Sequence, residues 1–287
     1  MTNLSGLDRS SPGKPEISPI QQPNSLLRPW EGTLDVKPWS YEVTAIIPVL
    51  DTLEPLKACL ALLQAQTVKP YILVIDTGSV KFRDQITDLA TENVEIHSLR
   101  SYGWNHPSEP VAVAQDLGFS LARTQYALSL HADCFLRKQT AVAELLTLAK
   151  IHKIVGFQIS PRSYQGWESE LGHTLLMTDL PTLRANNITW NMRKFCERYN
   201  KTLSNNCFCT NCPDTESEFN ASVADAKIKP LILGTEQNRT RNINDWFDHP
   251  RSHTSATLYD NKYLPTVSSD MEKAIKDAYE RLEAWVS

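Results

Sequence analysis

The chain predicts an α/β domain whose mostly parallel sheet is flanked by helices. Short Val/Ile/Leu-rich runs alternate with stretches whose apolar residues recur at helical spacing, in the order β-α-β-α-β-α-β from Val43 to Leu130. The runs are continuously apolar, which suits strands buried on both faces of a parallel sheet. Polar, chemistry-bearing residues follow the strand ends, where α/β proteins place their ligands.

Residues 1–40 are rich in Pro, Ser, Gln and Asn and read as a flexible N-terminal arm, with Leu26, Leu27 and Trp30 the only side chains suited to docking. From residue 41 the pattern becomes that of a folded domain. Val43 to Val49 is a buried strand, and Leu53 to Gln66 is a helix with Leu56, Leu60 and Leu63 along one stripe. Tyr71 to Ile75 is a second strand, closed by the turn Asp76-Thr77-Gly78-Ser79. Phe82 to Glu92 reads as helix, Val94 to Leu99 as strand, Ala112 to Arg123 as helix and Tyr126 to Leu130 as strand. In the second half, a helix over Ala141 to His152 precedes a strand over Ile154 to Ile159. Gly172 to Thr178 is expected near the sheet edge, and Pro181 to Tyr199 as helix broken at Asn186-Asn187. A helix over Glu216 to Ala226, a strand over Leu231 to Leu233 and an amphipathic terminal helix over Met271 to Val286 complete the chain.

The 287 residues suffice for one large domain or a domain with a subdomain, and 41% hydrophobic with 22% charged residues fits a globular protein. A formal net charge of −4 argues against a broad nucleic-acid-binding face. No apolar run reaches the ~20 residues that cross a bilayer, and Met1 to Gly13 lacks the apolar core of a signal peptide, so a cytoplasmic location is expected. Cys59 and Cys134 fall in core elements, as small buried hydrophobes do. Cys207, Cys209 and Cys212, with Cys196 or His173, have spacing that can begin a zinc site; reduced thiols in a surface insertion are the alternative.

The most informative motif is the strand that ends in His131-Ala132-Asp133. Alternate strand residues share a side, so His131 and Asp133 can address one cation. Four features stand at successive strand ends and helices: Pro48-Val49-Leu50-Asp51, Asp76-Thr77-Gly78-Ser79, Ala114-Gln115-Asp116-Leu117-Gly118 and His131-Ala132-Asp133. In order and spacing over residues 43–138 they resemble the nucleotide-sugar-binding half of GT-A glycosyltransferases of the family-two type. The familiar pattern is a strand ending Ile-Pro-Val-Tyr-Asn, a helix ending Ala-Gln-Thr, then Val-Val-Asp-Asp-Gly-Ser, an Ala-x-Asn-x-Gly helix and a strand ending Asp-x-Asp. This chain carries Ile46-Ile47-Pro48-Val49-Leu50-Asp51, Ala65-Gln66-Thr67 and Val74-Ile75-Asp76-Thr77-Gly78-Ser79. Its chief departure is His131, which stands where the family has an aspartate.

The resemblance implies a GT-A-like fold of the nucleotide-diphospho-sugar transferase type, with a nucleotide-binding half over 41–138 and an acceptor half with the C-terminal helix over 139–287. It implies an inverting, metal-dependent glycosyltransferase of hexosyltransferase type, taking a nucleoside-diphosphate sugar as donor and a carbohydrate or lipid-linked acceptor. Pro48, Val49, Asp51, Asp76, Asp116, His131 and Arg251 are then the nucleotide-sugar-binding candidates. Asp133, His131 and His249 are the candidates to hold a divalent cation, Mn²⁺ or Mg²⁺, with imidazole leaning toward Mn²⁺. Asp214 and Glu216, at the start of a helix, match the acidic pair that supplies the base, with Asp179 as a further carboxylate; helix capping is the other role open to the pair. Each binding candidate has a plainer role as well: turn former for Asp76, helix surface for Asp116, polar loop for His249 and Arg251. A non-catalytic GT-A-like module that binds nucleotide or carbohydrate is the alternative function.

Overall fold

The computed structural model describes residues 40–99, 106, 108–159, 170–200, 214–235, 246–250 and 264–287. Residues 1–39 of the expected N-terminal arm, Cys207, Cys209, Cys212 and Arg251 lie outside the described residues.

The first half runs β1 (Val43–Val49), α1 (Leu53–Gln64), β2 (Tyr71–Asp76), α2 (Arg83–Thr87), β3 (Val94–Ser98), α3 (Glu109–Leu121), β4 (Tyr126–Leu130) and β5 (Phe135–Leu136). The second runs α4 (Ala141–His152), β6 (Ile154–Ile159), β7 (Glu170–Asp179), α5 (Leu180–Ala185), α6 (Met192–Tyr199), α7 (Ser217–Asp225), β8 (Leu231–Thr235), β9 (Phe247–Asp248) and α8 (Leu264–Val286). Seven strands form one sheet in the order β3-β2-β1-β4-β7-β6-β8, and β5 pairs with β9 in a separate ribbon. All pairings in the main sheet are parallel except those of β7, which is antiparallel to both neighbours.

The apolar runs predicted as buried strands are buried on both faces. One core joins α1 and α4 to Val43, Ala45, Ile47, Ile72 and Val74; the other joins α3 to Ile46, Leu73 and Ile75. Alternate residues of one strand thus serve opposite layers. α3 seats directly on β1 at Gly118, where an added Cβ would stand 2.2 Å from Ile46 Cγ2.

Two elements differ from expectation. β7 is interior, between β4 and β6, rather than near the edge. Its Thr174 and Thr178 are buried, and Thr178 donates a hydrogen bond to the Ala127 carbonyl (3.4 Å), so these hydroxyls find partners inside the protein. The helix expected over Phe82 to Glu92 is confined to Arg83–Thr87, because the chain turns back through a Thr91–Val94 bridge into β3. The break at Asn186-Asn187 is present: Asn187 has φ 52°, and α6 starts anew with the Asn191 side chain accepting from the Arg193 and Lys194 backbone N–H groups.

Candidate active site at the carboxyl ends of β1, β2 and β4

The strand order reverses between β1 and β4: the chain leaves β1 toward β2 and β3, then returns to add β4 on the other side. Open α/β sheets bind ligands outside the strand ends at such a switch point. β1 pairs with β2 through Val49↔Asp76 but with β4 only through Ile46↔Ser129, so the last residues of β1 extend beyond their registered pairing with β4.

His131 follows β4 directly, its N–H donating to the Thr174 carbonyl on β7 (3.3 Å), and the turn closes with Cys134 N–H donating to the His131 carbonyl (3.1 Å). The chain then enters β5, whose register with β9 is Phe135↔Asp248 and Leu136↔Phe247. This ribbon carries His249 to Asp133. Nε2 of His249 lies 3.2 Å from Asp133 Oδ1 and 3.1 Å from Nδ1 of His131, and that Nδ1 is 3.8 Å from the same oxygen. Asp133 and His249 are buried, and the His131 side chain is 17% exposed. The ribbon is braced from behind. Asp248 accepts from Arg137 Nε (2.9 Å) and from Arg281 Nη1 of α8 (2.8 Å), and Arg137 N–H donates to the Trp246 carbonyl.

These three donor atoms fit a single cation. Edges of 3.1, 3.2 and 3.8 Å leave a point about 2.1 Å from all three, the usual imidazole and carboxylate bond length to a first-row divalent metal. Two imidazoles and one carboxylate form a ligand set suited to transition ions. Cys59, whose thiol lies 3.7 Å from the His131 carbonyl, is not a competing ligand: burial, and secondarily the Asp133 charge, pushes the thiol up and keeps it protonated.

Asp76 ends β2 with its carboxylate fully buried. Oδ1 accepts from the N–H groups of Gly78 (3.2 Å) and Ser79 (2.8 Å), while Oδ2 has no partner among the described residues. An orphaned buried acceptor is costly unless something supplies a donor. Gln115 on α3 is likewise fully buried, with both ends of its amide without a partner among the described residues. Sequence alone gives Gln115 no role, because glutamine in a helix commonly faces solvent. Its place one turn before Gly118, on the sheet-facing side, was the available signal.

The second face of the site comes from β7 and α7. His173 Nδ1 lies 2.8 Å from Oε2 of Glu216, which is 2% exposed at the N-terminal end of α7. The His173 ring is also 4.4 Å from the His131 ring, and the His131 and His249 rings are 5.0 Å apart. Glu216, His173, His131, His249 and Asp133 therefore form one continuous chain of side chains.

Other expected residues have different partners. Asp51, at φ 46°, accepts on Oδ1 from the N–H groups of Val80, Lys81 and Phe82 and so holds the loop after β2. Asp116 is partly buried on α3 and is tied to the segment before α6. Its oxygens accept from Thr189 Oγ1 (2.6 Å) and Trp190 N–H (2.7 Å), and burial raises its pKa to about 6 against the lowering effect of those bonds. Asp214 accepts on Oδ1 from Ser108 Oγ and from Thr215 N–H, tying the turn before α7 to the start of α3. Asp179 ion-pairs with Lys153 and sits opposite Tyr126, at the amino end of β4, because β7 runs antiparallel there. The Val49 carbonyl accepts from both N–H and Oγ1 of Thr77, and Pro48 pairs with Ile75, so this pair shapes the crevice floor. The Cys196 part of the expected zinc site is buried on α6.

The strand order makes a mixed α/β fold with a mostly parallel seven-stranded sheet, with the Asp76 carboxylate at the end of β2 and the His/Asp/His cluster after β4. No family model and no curated protein matches the chain. Solved structures similar to it include Staphylococcus aureus TarS (12% identity, 72% of this chain and 36% of that one, TM-score 0.49). Others are S. aureus TarS in complex with UDP-GlcNAc (12%, 85% and 71%, 0.49) and the mannosyltransferase PcManGT from Pyrobaculum calidifontis with GDP-Man and Mn²⁺ (15%, 91% and 78%, 0.45). The chain spans little more than a third of the length of the first TarS structure. Among the described residues no helix is long and apolar enough to cross a membrane.

Proposed function

We propose that this protein is an inverting, metal-dependent glycosyltransferase that moves a sugar from a nucleoside diphosphate to an acceptor hydroxyl. The observation that carries the reading is the convergence of His131, Asp133 and His249 at the switch point, two strands from the orphaned carboxylate oxygen of Asp76. Two strand spacings are about 10 Å, a separation that base and diphosphate of one extended nucleotide can bridge. Asp76 Oδ2 would accept from a base N–H or a ribose hydroxyl. His131, Asp133 and His249 would hold a divalent cation, which neutralises the leaving diphosphate as a Lewis acid. Glu216 would take the proton of the acceptor hydroxyl. It is the better candidate of the acidic pair because Asp214 Oδ1 already accepts from Ser108 Oγ and Thr215 N–H, tying it to the start of α3. Attack of that hydroxyl on the face opposite the leaving group inverts the anomeric carbon in one displacement. Arg251, two residues beyond His249, is assigned to the diphosphate.

The test is release of UDP or GDP from a panel of donor sugars with Mn²⁺, for the native chain and for Asp133→Ala. Release that depends on Asp133 supports the proposal; no release, together with no nucleotide binding at millimolar concentration, sinks it. Nucleotide binding without turnover for any donor or acceptor would favour the alternative, a non-catalytic GT-A-like binding module.

A further inference from the structure

We infer that His173 is a positioning residue for Glu216: it fixes one oxygen of the buried carboxylate and so aims the other at the acceptor hydroxyl. The inference rests on the transferase reading above and deepens it. Glu216 lies buried at the start of α7, where a carboxylate needs donors to offset the loss of water. The His173 imidazole supplies one, its Nδ1 standing 2.8 Å from Oε2. With Glu216 ionised, as a base must be, its oxygen only accepts, and Nδ1 then carries the proton as donor.

The two residues are brought side by side by the backbone, independently of their own bond. One turn along α7, Asn220 accepts from the Leu171 N–H (2.9 Å) and donates to the Leu171 carbonyl (3.0 Å). That two-way clamp sets the register of α7 on β7, two residues before His173. The imidazole also packs against two further rings. His131 lies 4.4 Å away, and Trp190 lies 6.3 Å away at a steep angle, itself stacked between Phe119 and Phe219. A ring so confined fixes the rotation of the carboxylate it binds. In the transfer, the acceptor O–H proton passes to the remaining Glu216 oxygen as the acceptor oxygen bonds the anomeric carbon. The bond from that carbon to the diphosphate breaks, and its electron pair leaves with the nucleotide.

The experiment compares native protein with His173→Leu, His173→Asn and Glu216→Gln, reading kcat and donor KM separately, with Mn²⁺ affinity from the electron paramagnetic resonance of the free ion. Asparagine can place an amide N–H where the imidazole Nδ1–H stood, whereas leucine cannot. The expected result is a fall in kcat of roughly 100-fold for His173→Leu, as for a catalytic group displaced by about an ångström. KM and Mn²⁺ affinity should stay within about threefold, and His173→Asn should regain at least about a tenth of native kcat. A His173→Leu variant with native kcat overturns the inference. So does His173→Asn no better than His173→Leu, or a collapse of Mn²⁺ affinity in His173→Leu, which would place the residue at the cation. Full activity in Glu216→Gln overturns it as well. No turnover by the native protein would instead overturn the transferase reading on which the role depends.

Discussion

Nε2 of His249 lies 3.1 Å from Nδ1 of His131 across 118 residues of sequence. The two-residue ribbon of β5 and β9 makes this possible, because its antiparallel register sets the residue after Asp248 against the turn after β4. The cluster thus joins the middle of the chain to its C-terminal part, including the α8 arginine that braces Asp248.

The proposed cation site should therefore fail in graded fashion. Asp133→Ala and His249→Ala should each lower Mn²⁺ affinity by about 100-fold or more, measured by calorimetric titration. His131→Asp should raise relative affinity for Mg²⁺, because it exchanges an imidazole for the oxygen donor that hard ions prefer. Unchanged Mn²⁺ binding in His249→Ala would remove that residue from the ligand set.

Arg281→Ala should act on the same site from a distance. It removes one of the two arginines on Asp248 and loosens the ribbon behind His249. A drop of roughly tenfold in Mn²⁺ affinity is expected, the usual scale for a residue that supports a ligand. The Asp248 pair is largely buried, so thermal stability should fall too, readable by circular dichroism.

Asp76→Asn separates binding from folding. The new side chain keeps an acceptor for the Gly78 and Ser79 N–H groups, while the orphaned oxygen becomes an N–H donor. Nucleotide affinity should fall by about tenfold or more with the melting temperature nearly unchanged. Equal affinity for UDP and GDP in native and variant protein would count against Asp76 as the nucleoside contact.

Asp116 gives a pH signature that belongs to the fold rather than the site. Burial raises its folded pKa to about 6, so the folded state binds the proton more tightly than the unfolded chain. Its burial therefore costs stability above about pH 6, and that cost is relieved as pH falls from about 6 toward 4, where both states are protonated. Asp116→Asn, which keeps an acceptor for the Trp190 N–H, should stabilise the protein by about 1–2 kcal/mol at pH 8 and by little near pH 4. Denaturant melts at the two pH values check this; an equal effect at both would show that Asp116 is not desolvated.

Gly118→Ala should destabilise by about 1–3 kcal/mol, since the new methyl meets Ile46 inside a packed core. Ile46→Val in the same chain should recover part of the loss; additive losses would show that the two positions do not share space.

Much of the fold was legible because buried strands and amphipathic helices write burial as composition and period. β1, β4, α4 and β6 stand where those patterns place them. β7 was misjudged because buried threonines read as surface when their acceptors, such as the Ala127 carbonyl, lie on another strand. Asp51 and Asp116 show the same difficulty for the site. A carboxylate at a strand end or on a helix looks available until the loop N–H groups that consume it are in place.

By itself, the sequence determined the alternation of strand and helix, and it brought Asp76, His131 and Asp133 to strand ends, because side-chain period and strand polarity are local properties. Only the tertiary structure decided which other residues stand beside them. His249 reaches His131, and Glu216 reaches His173, through the β5–β9 register and the Asn220 clamp. Such long-range pairings leave no periodic trace in the chain.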